Sequence, residues 1–145
     1  MSKTSLIKWS YISLEQGNLY LPGSITKNGK DHRLPLSPQI VEILKEEKRL
    51  SKSPYVFSFG GDRFIPRRTI NNWCSELSHK VGIKFTSHDL RKLAADSLQD
   101  MGINDDVIEM ILNHSQGDLD KVYKQRYSQT QVRLAIDKWA GVVLG

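Results

Sequence analysis

Apolar positions along the 145-residue chain form a series of helical stripes interrupted by one alternating stretch. Asn18 to Pro22 alternates apolar and polar residues, which predicts a strand. Thr26-Lys27-Asn28-Gly29-Lys30 reads as a turn with Asn-Gly at its tip, and Asp31 to Leu36 as the returning strand of a hairpin. Ser37-Pro38 starts a helix, serine as cap and proline in the first turn. Ile40, Val41, Ile43 and Leu44 are its apolar stripe, Lys45 to Lys52 its charged exposed end, and Ser53-Pro54 its break. Tyr55 to Phe59 is a short apolar extended run, followed by a Gly60-Gly61-Asp62 loop. Pro66 to Val81 predicts a strongly amphipathic helix closed by Gly82, with Ile70, Trp73, Cys74, Leu77 and Val81 on one face. Trp73 and Cys74 are expected in the core.

Ser87 can cap the next helix, whose Leu90, Leu93, Ala94, Leu98 and Met101 fall on the buried side until Gly102 ends it. Asn104-Asp105-Asp106 caps a further helix with favourable negative charge; its Val107, Ile108, Met110, Ile111 and Leu112 are expected to be largely buried before Asn113-His114. Ser115 to Asp120 reads as a polar loop, and Lys121 to Tyr127 as a short helix or a mobile segment. Ser128 and Gln131 form a capping box for a last helix to Leu144, striped by Val132, Ala135, Ile136, Trp139 and Val143. That helix must dock, either on its own domain or on a neighbour. Met1 to Trp9 reads as the end of a helix with little nearby to pack against, as if cut from something longer. The expected class is mainly α with a small antiparallel β-hairpin sheet.

The length fits one domain with enough core to fold alone. No apolar run reaches membrane-spanning length, and no basic-then-apolar leader opens the chain. A single cysteine allows neither a disulfide framework nor a zinc site, which favours a reducing, cytosolic setting. The net charge of +5 and pI near 9.4 favour a polyanionic partner. The basic residues are spread along the chain, so any DNA surface is assembled by folding.

Four residues carry candidate chemistry. His88 and Arg91 lie three apart and share one helix face; His114 follows 23 residues after Arg91, and Tyr123 nine after that. Cleaving a phosphodiester without metal needs a nucleophile, cations on the non-bridging oxygens and an acid for the leaving oxygen. An arginine fork binds two phosphate oxygens at once, and histidine can donate to phosphate or relay a proton near neutrality. A tyrosine can attack, and a lysine on a hairpin tip can serve as the acid. Lys30 is an alternative to Lys27, and Tyr127 a rival to Tyr123. Arg67 and Arg68 stand at a helix start, where the dipole disfavours cations but a bound phosphate would compensate. His32 and His79 carry no argument for a role beyond position, and Asp89 reads as a helix-start charge. Asp105-Asp106 forms no carboxylate cluster, which argues against a metal-dependent nuclease.

The segments Thr26-Lys27-Asn28-Gly29, Arg33-Leu34-Pro35-Leu36, Thr86-Ser87-His88-Asp89-Leu90-Arg91, Ile111-Leu112-Asn113-His114 and Val122-Tyr123, in this order and spacing, resemble the tyrosine recombinase (phage integrase) family. The resemblance covers nearly the whole chain and implies a recombinase-like catalytic domain over residues 1–145. It implies that Tyr123 attacks the scissile phosphate to form a 3′-phosphotyrosyl link. Arg91 would hold the non-bridging oxygens, His88 and His114 would hydrogen-bond the phosphate and assist proton transfer, and Lys27 would protonate the leaving 5′ oxygen. Lys30, Arg33, Arg67, Arg68 and Lys92 are candidates for DNA binding. Double-stranded DNA is the implied partner, with self-association into a tetramer on paired sites; no metal or cofactor is implied. One departure stands out. The family's first arginine, in a Gly-x-Arg-x-x-Glu motif ahead of a Leu-x-x-Leu-x-Trp segment, would fall just before Met1, and Lys3 stands at the glutamate's place. The chain therefore reads as a catalytic domain lacking its amino-terminal part, weak or inactive in cleavage alone. The alternative is a catalytically inactive, DNA-binding remnant.

Overall fold

The computed structural model describes residues 3–113 and 129–145. Its centre is an antiparallel sheet in the order β1 (Ile12–Ser13), β2 (Asn18–Leu21), β3 (His32–Pro35). Asn18 pairs with Pro35 and Leu21 with His32, so β2 and β3 run along their full length as a pair. The first strand was absent from the sequence expectation: Ile12 pairs with Leu19 and Ser13 with Asn18. Residues expected as the end of a helix instead form short 3-10 turns, Lys3–Leu6 and Trp9–Tyr11. This opening stretch does pack. Trp9 N–H bonds the Pro54 carbonyl at 3.0 Å, and Val56 N–H bonds the Ile7 carbonyl at 2.9 Å. The apolar run after Ser53 thus finds its backbone partners in the start of the chain.

The β2–β3 connection is longer than the two-residue turn that Asn-Gly favours. A 3-10 turn at Gly23–Ile25 follows β2, and the chain folds back on itself before β3. A Cβ on Gly23 would lie 2.3 Å from the Gly29 carbonyl oxygen, so only glycine lets the two limbs approach this closely. Buried Thr26 donates its hydroxyl to the carbonyls of Gly23 (3.1 Å) and Lys30 (2.7 Å). Asp31 accepts from the Gly23 N–H at 2.8 Å and from the Tyr20 hydroxyl. Lys27 is carried, exposed, on this closed loop.

Helix α1 (Pro38–Leu50) begins as its sequence predicts, with Ser37 accepting from the Ile40 N–H at 3.3 Å and proline at the first position. Leu19, Leu36 and Val41 form a core beneath the sheet, with Ile7, Tyr11, Ile40 and Leu44 packed around it. A second core joins α4 (Asp105–Leu112) to the last helix, α5 (Gln129–Leu144), through Val107, Val132, Ala135 and Ile136. Leu34 of β3 packs against both. The last helix docks on its own domain. Arg133 donates to Asn18 Oδ1 (2.8 Å) and the Gly17 carbonyl (3.1 Å), pinning α5 to the turn before β2. Val143, expected in the stripe, is exposed; Ala140 is buried in its place. The expected cap Ser128 lies outside the described residues.

The two middle helices depart most from expectation. Helix α2 (Arg67–Val81) starts one residue later than expected, with Pro66 as its N-cap, and ends at Gly82 in the left-handed region, but buries no residue fully. Trp73 is 46% exposed, with Leu77 and Val81 half open as well, and Cys74 is only half-buried. Helix α3 (Ser87–Asp100) buries Leu98 alone; Leu90 and Leu93 face out. The apolar period of α2 is real, but the face is only partly covered: the Phe59 ring packs edge-on against Trp73, 5.9 Å between centroids, while Leu77 and Val81 stay half open. No helix among the described residues is long and apolar enough to cross a membrane.

Candidate active site

The cap of α3 is Thr86, one residue earlier than predicted. Its hydroxyl accepts from the Asp89 N–H at 3.3 Å, and Asp89 in turn accepts from the Thr86 N–H at 2.9 Å, a closed capping box. The Thr86 hydroxyl also donates to the Asp89 carboxylate at 2.8 Å; this bond first and the Thr86 N–H second hold that carboxyl below its usual range, with Lys92 and His88 adding to the effect. Ser87, the first helical residue, donates to Asn71 Oδ1 at 3.2 Å and ties the start of α3 to α2. The box and this tether fix the helix that bears His88 and Arg91.

His88 is exposed and lines a groove of about 860 Å³ between the two helices. Arg67, His79 and Lys84 share that lining. The α2 start has no side-chain cap and no acidic residue in its first turn. Its N–H ends and Arg67 therefore present positive potential at one edge of the groove.

One turn further on, Arg91 reaches the end of α4, where its guanidinium donates to the Leu112 carbonyl. This contact desolvates the guanidinium and lowers its pKa although the residue as a whole is exposed; Glu109 opposes the shift. Arginine remains charged at neutral pH. Asn113 follows Leu112 in the left-handed region, φ 53°, a conformation asparagine tolerates better than most residues. Its Oδ1 accepts from Asn28 Nδ2 at 3.3 Å. The lysine-bearing loop, the α3 arginine and the end of α4 thus meet at one corner. They are 64 and 22 residues apart, respectively, measured from Lys27 to Arg91 and from Arg91 to Asn113.

The remaining expected residues divide. His114 and Tyr123, with the rival Tyr127, lie outside the described residues. Arg67 sits on the groove; Arg68 beside it is exposed and not among the lining residues. Arg33 lies over the Tyr20 ring, 5.7 Å from its centroid, on the outer face of the hairpin. Lys92 is exposed, and its charge acts on Asp89 of the cap. Lys30 is exposed, its backbone N–H bonded to Asn28 Oδ1 at 3.1 Å. Among the described residues no group of histidine, cysteine and carboxylate side chains is placed to hold a metal. Sequence reasoning missed Asn28 and Asn113 as an interacting pair, because a cross-chain amide contact leaves no periodic trace.

Comparison with known proteins gives the arrangement a context. The chain is 29% identical over 142 residues to the prophage integrase IntZ of Escherichia coli strain K12, a match covering 95% of this chain and 35% of the integrase. It is 26% identical over 144 residues to the tyrosine recombinase XerA of Pyrococcus furiosus, covering 95% of this chain and 49% of the recombinase. The chain therefore spans about half or less of these relatives. The same fold occurs in the integrase from mycobacterium phage Brujita (TM-score 0.64, 16% identity, 94% of this chain and 45% of that one). It occurs also in a XerA recombinase structure (TM-score 0.63, 20% identity, 94% and 52%). With residues 1–130 matching the phage integrase family model, the chain belongs to the phage integrase family.

Proposed function

We propose that the chain is the catalytic domain, without its amino-terminal part, of a site-specific DNA recombinase that cleaves and rejoins strands through a 3′-phosphotyrosyl intermediate. The observation that carries this reading is the corner at which Arg91 bonds the Leu112 carbonyl and Asn28 bonds Asn113. An arginine fork and a lysine-bearing loop that meet at that corner, with His88 three residues before Arg91 on the same helix and lining the neighbouring groove, support a site for a single DNA phosphate. In this reading Arg91 clamps the non-bridging oxygens and His88 donates to them. His114, next in chain after Asn113, does the same. Tyr123 attacks phosphorus, passing its phenolic proton to one of the two histidines, and releases the 5′ oxygen, which Lys27 protonates. The atoms balance: one phosphoester is exchanged for another, and reversal rejoins the strand. Lys30, Arg33, Arg67, Arg68 and Lys92 contribute contacts to the backbone of double-stranded DNA, and copies assemble as a tetramer on paired sites in the cytoplasm.

A second reading, an inactive DNA-binding remnant, is favoured by one feature: the sequence holds no Gly-x-Arg-x-x-Glu motif. Without that arginine the phosphate is under-neutralised, and little cleavage is expected from the 145 residues alone. Covalent trapping separates the readings. The protein is incubated with a pool of nicked duplexes of random sequence, and any protein–DNA adduct is digested and its site mapped by mass spectrometry. The recombinase reading expects a scarce adduct on Tyr123, abolished in Tyr123→Phe and retained in Tyr127→Phe. DNA binding with no adduct supports the remnant, an adduct on another residue contradicts the assigned nucleophile, and abundant adduct contradicts the stated need for the missing arginine.

A further inference from the structure

We propose that Asn28 is a positioning residue, an amide latch that couples the Lys27 loop to the turn leaving α4, so that lysine and arginine are presented to one phosphate together. The inference rests on the recombinase reading for its functional half; its structural half stands on geometry. The Asn28 side chain is held from both sides. Its Oδ1 accepts the Lys30 N–H at 3.1 Å, which fixes the amide plane, and its Nδ2 donates to Asn113 Oδ1 at 3.3 Å. It is half-buried while its neighbours Lys27 and Gly29 are exposed. Thr26 and Gly23 close the base of the loop, but neither attaches its tip to the rest of the domain. Asn28 makes that attachment, across 85 residues of sequence.

Asn113 has two separable tasks, and this makes the latch testable. As a left-handed residue ending α4 it would be served at least as well by glycine. As the acceptor for Asn28 it would be served by aspartate, which also tolerates that conformation, but not by glycine. A purely backbone role therefore predicts a normal Asn113→Gly; a latch predicts a normal Asn113→Asp and a loosened Asn113→Gly.

The first measurement is amide hydrogen exchange of residues 27–31 in the free protein. The latch expects exchange to rise about fivefold, on the scale of one ordinary net hydrogen bond, in Asn28→Ala and in Asn113→Gly. It expects no rise in Asn113→Asp, and in the double variant Asn28→Ala/Asn113→Gly no more than in Asn28→Ala alone, which also loses the bond to the Lys30 N–H. Wild-type exchange in Asn113→Gly, or additive effects in the double variant, would overturn the latch. The second measurement is acylation of Lys27 with and without duplex DNA. Protection of Lys27 in the wild type that weakens in Asn28→Ala supports the positioning role. Equal protection in both overturns that role alone, whereas an unprotected wild-type Lys27 overturns the reading of the site on which it rests.

Discussion

Arg91 spends one donor on the Leu112 carbonyl and has five in all, so it is anchored without being used up. Anchoring fixes the plane of the fork. Lysine at this position would keep the charge and lose the plane, so Arg91→Lys is expected to bind DNA almost as well as wild type but lose covalent trapping, read by the adduct yield. Two carboxylates near the site set its acid limit. Asp31 is held below its usual range by the Tyr20 hydroxyl first and the Gly23 N–H second, and Asp89 by Thr86. A lowered folded pKa means stability that is present above the unfolded value near 4 and lost as pH falls through the folded value. Hydrogen exchange, corrected for its intrinsic pH dependence, is expected to be constant in the 22–31 loop and the first α3 turn from pH 5 to 7, and to rise below about pH 4. Asp31→Asn should abolish the loop's part of that rise. The Tyr20 pKa is raised, by the same bond to Asp31 first. Its contribution is therefore present below about pH 10 and lost as pH rises through the folded value.

Among the elements, α3 depends on its cap more than on burial, since Leu98 is its one fully buried residue. Thr86→Ala should destabilise the protein by about 1 kcal/mol in chemical denaturation. The last helix depends on Arg133, whose bonds cross to the turn before β2. Arg133→Met should cost about 2 kcal/mol by leaving those acceptors without a charged donor. Helix bounds were legible in the sequence because their signals are local: Ser37-Pro38, Gly82, Asn104 and Gly102 each mark a boundary through the backbone of one or two residues. Burial was not. The apolar stripe of α2 states which face wants a partner, and only tertiary packing decides whether it has one. Leu77 and Val81 are about half exposed, so Leu77→Lys is expected to change stability by less than about 0.5 kcal/mol, where a core leucine would cost several times that. The strand Ile12–Ser13 was missed for a related reason: two residues are too few to show a period, and their pairing with β2 is the whole of their identity.

For the molecule as a whole, a net charge of +5 becomes meaningful through placement. Arg67 and Lys84 border the groove that His88 enters, while Arg33 is drawn away over Tyr20. The candidate residues could be picked out as an ordered set of types, because the chemistry of a phosphodiester restricts what can hold it; His114 and Tyr123 of that set lie outside the described residues. Its assembly was not legible, since the contacts that gather it, Arg91 to Leu112 and Asn28 to Asn113, join residues with no sequence relation. The central claim is that this corner receives a DNA phosphate, and salt-titrated duplex binding of wild type and Arg91→Ala tests it most directly. The account predicts that wild-type affinity falls steeply and linearly in log–log form as salt rises, and that Arg91→Ala binds more weakly with a slope shallower by about one. Affinity indifferent to salt, or coincident lines for the two proteins, would contradict it.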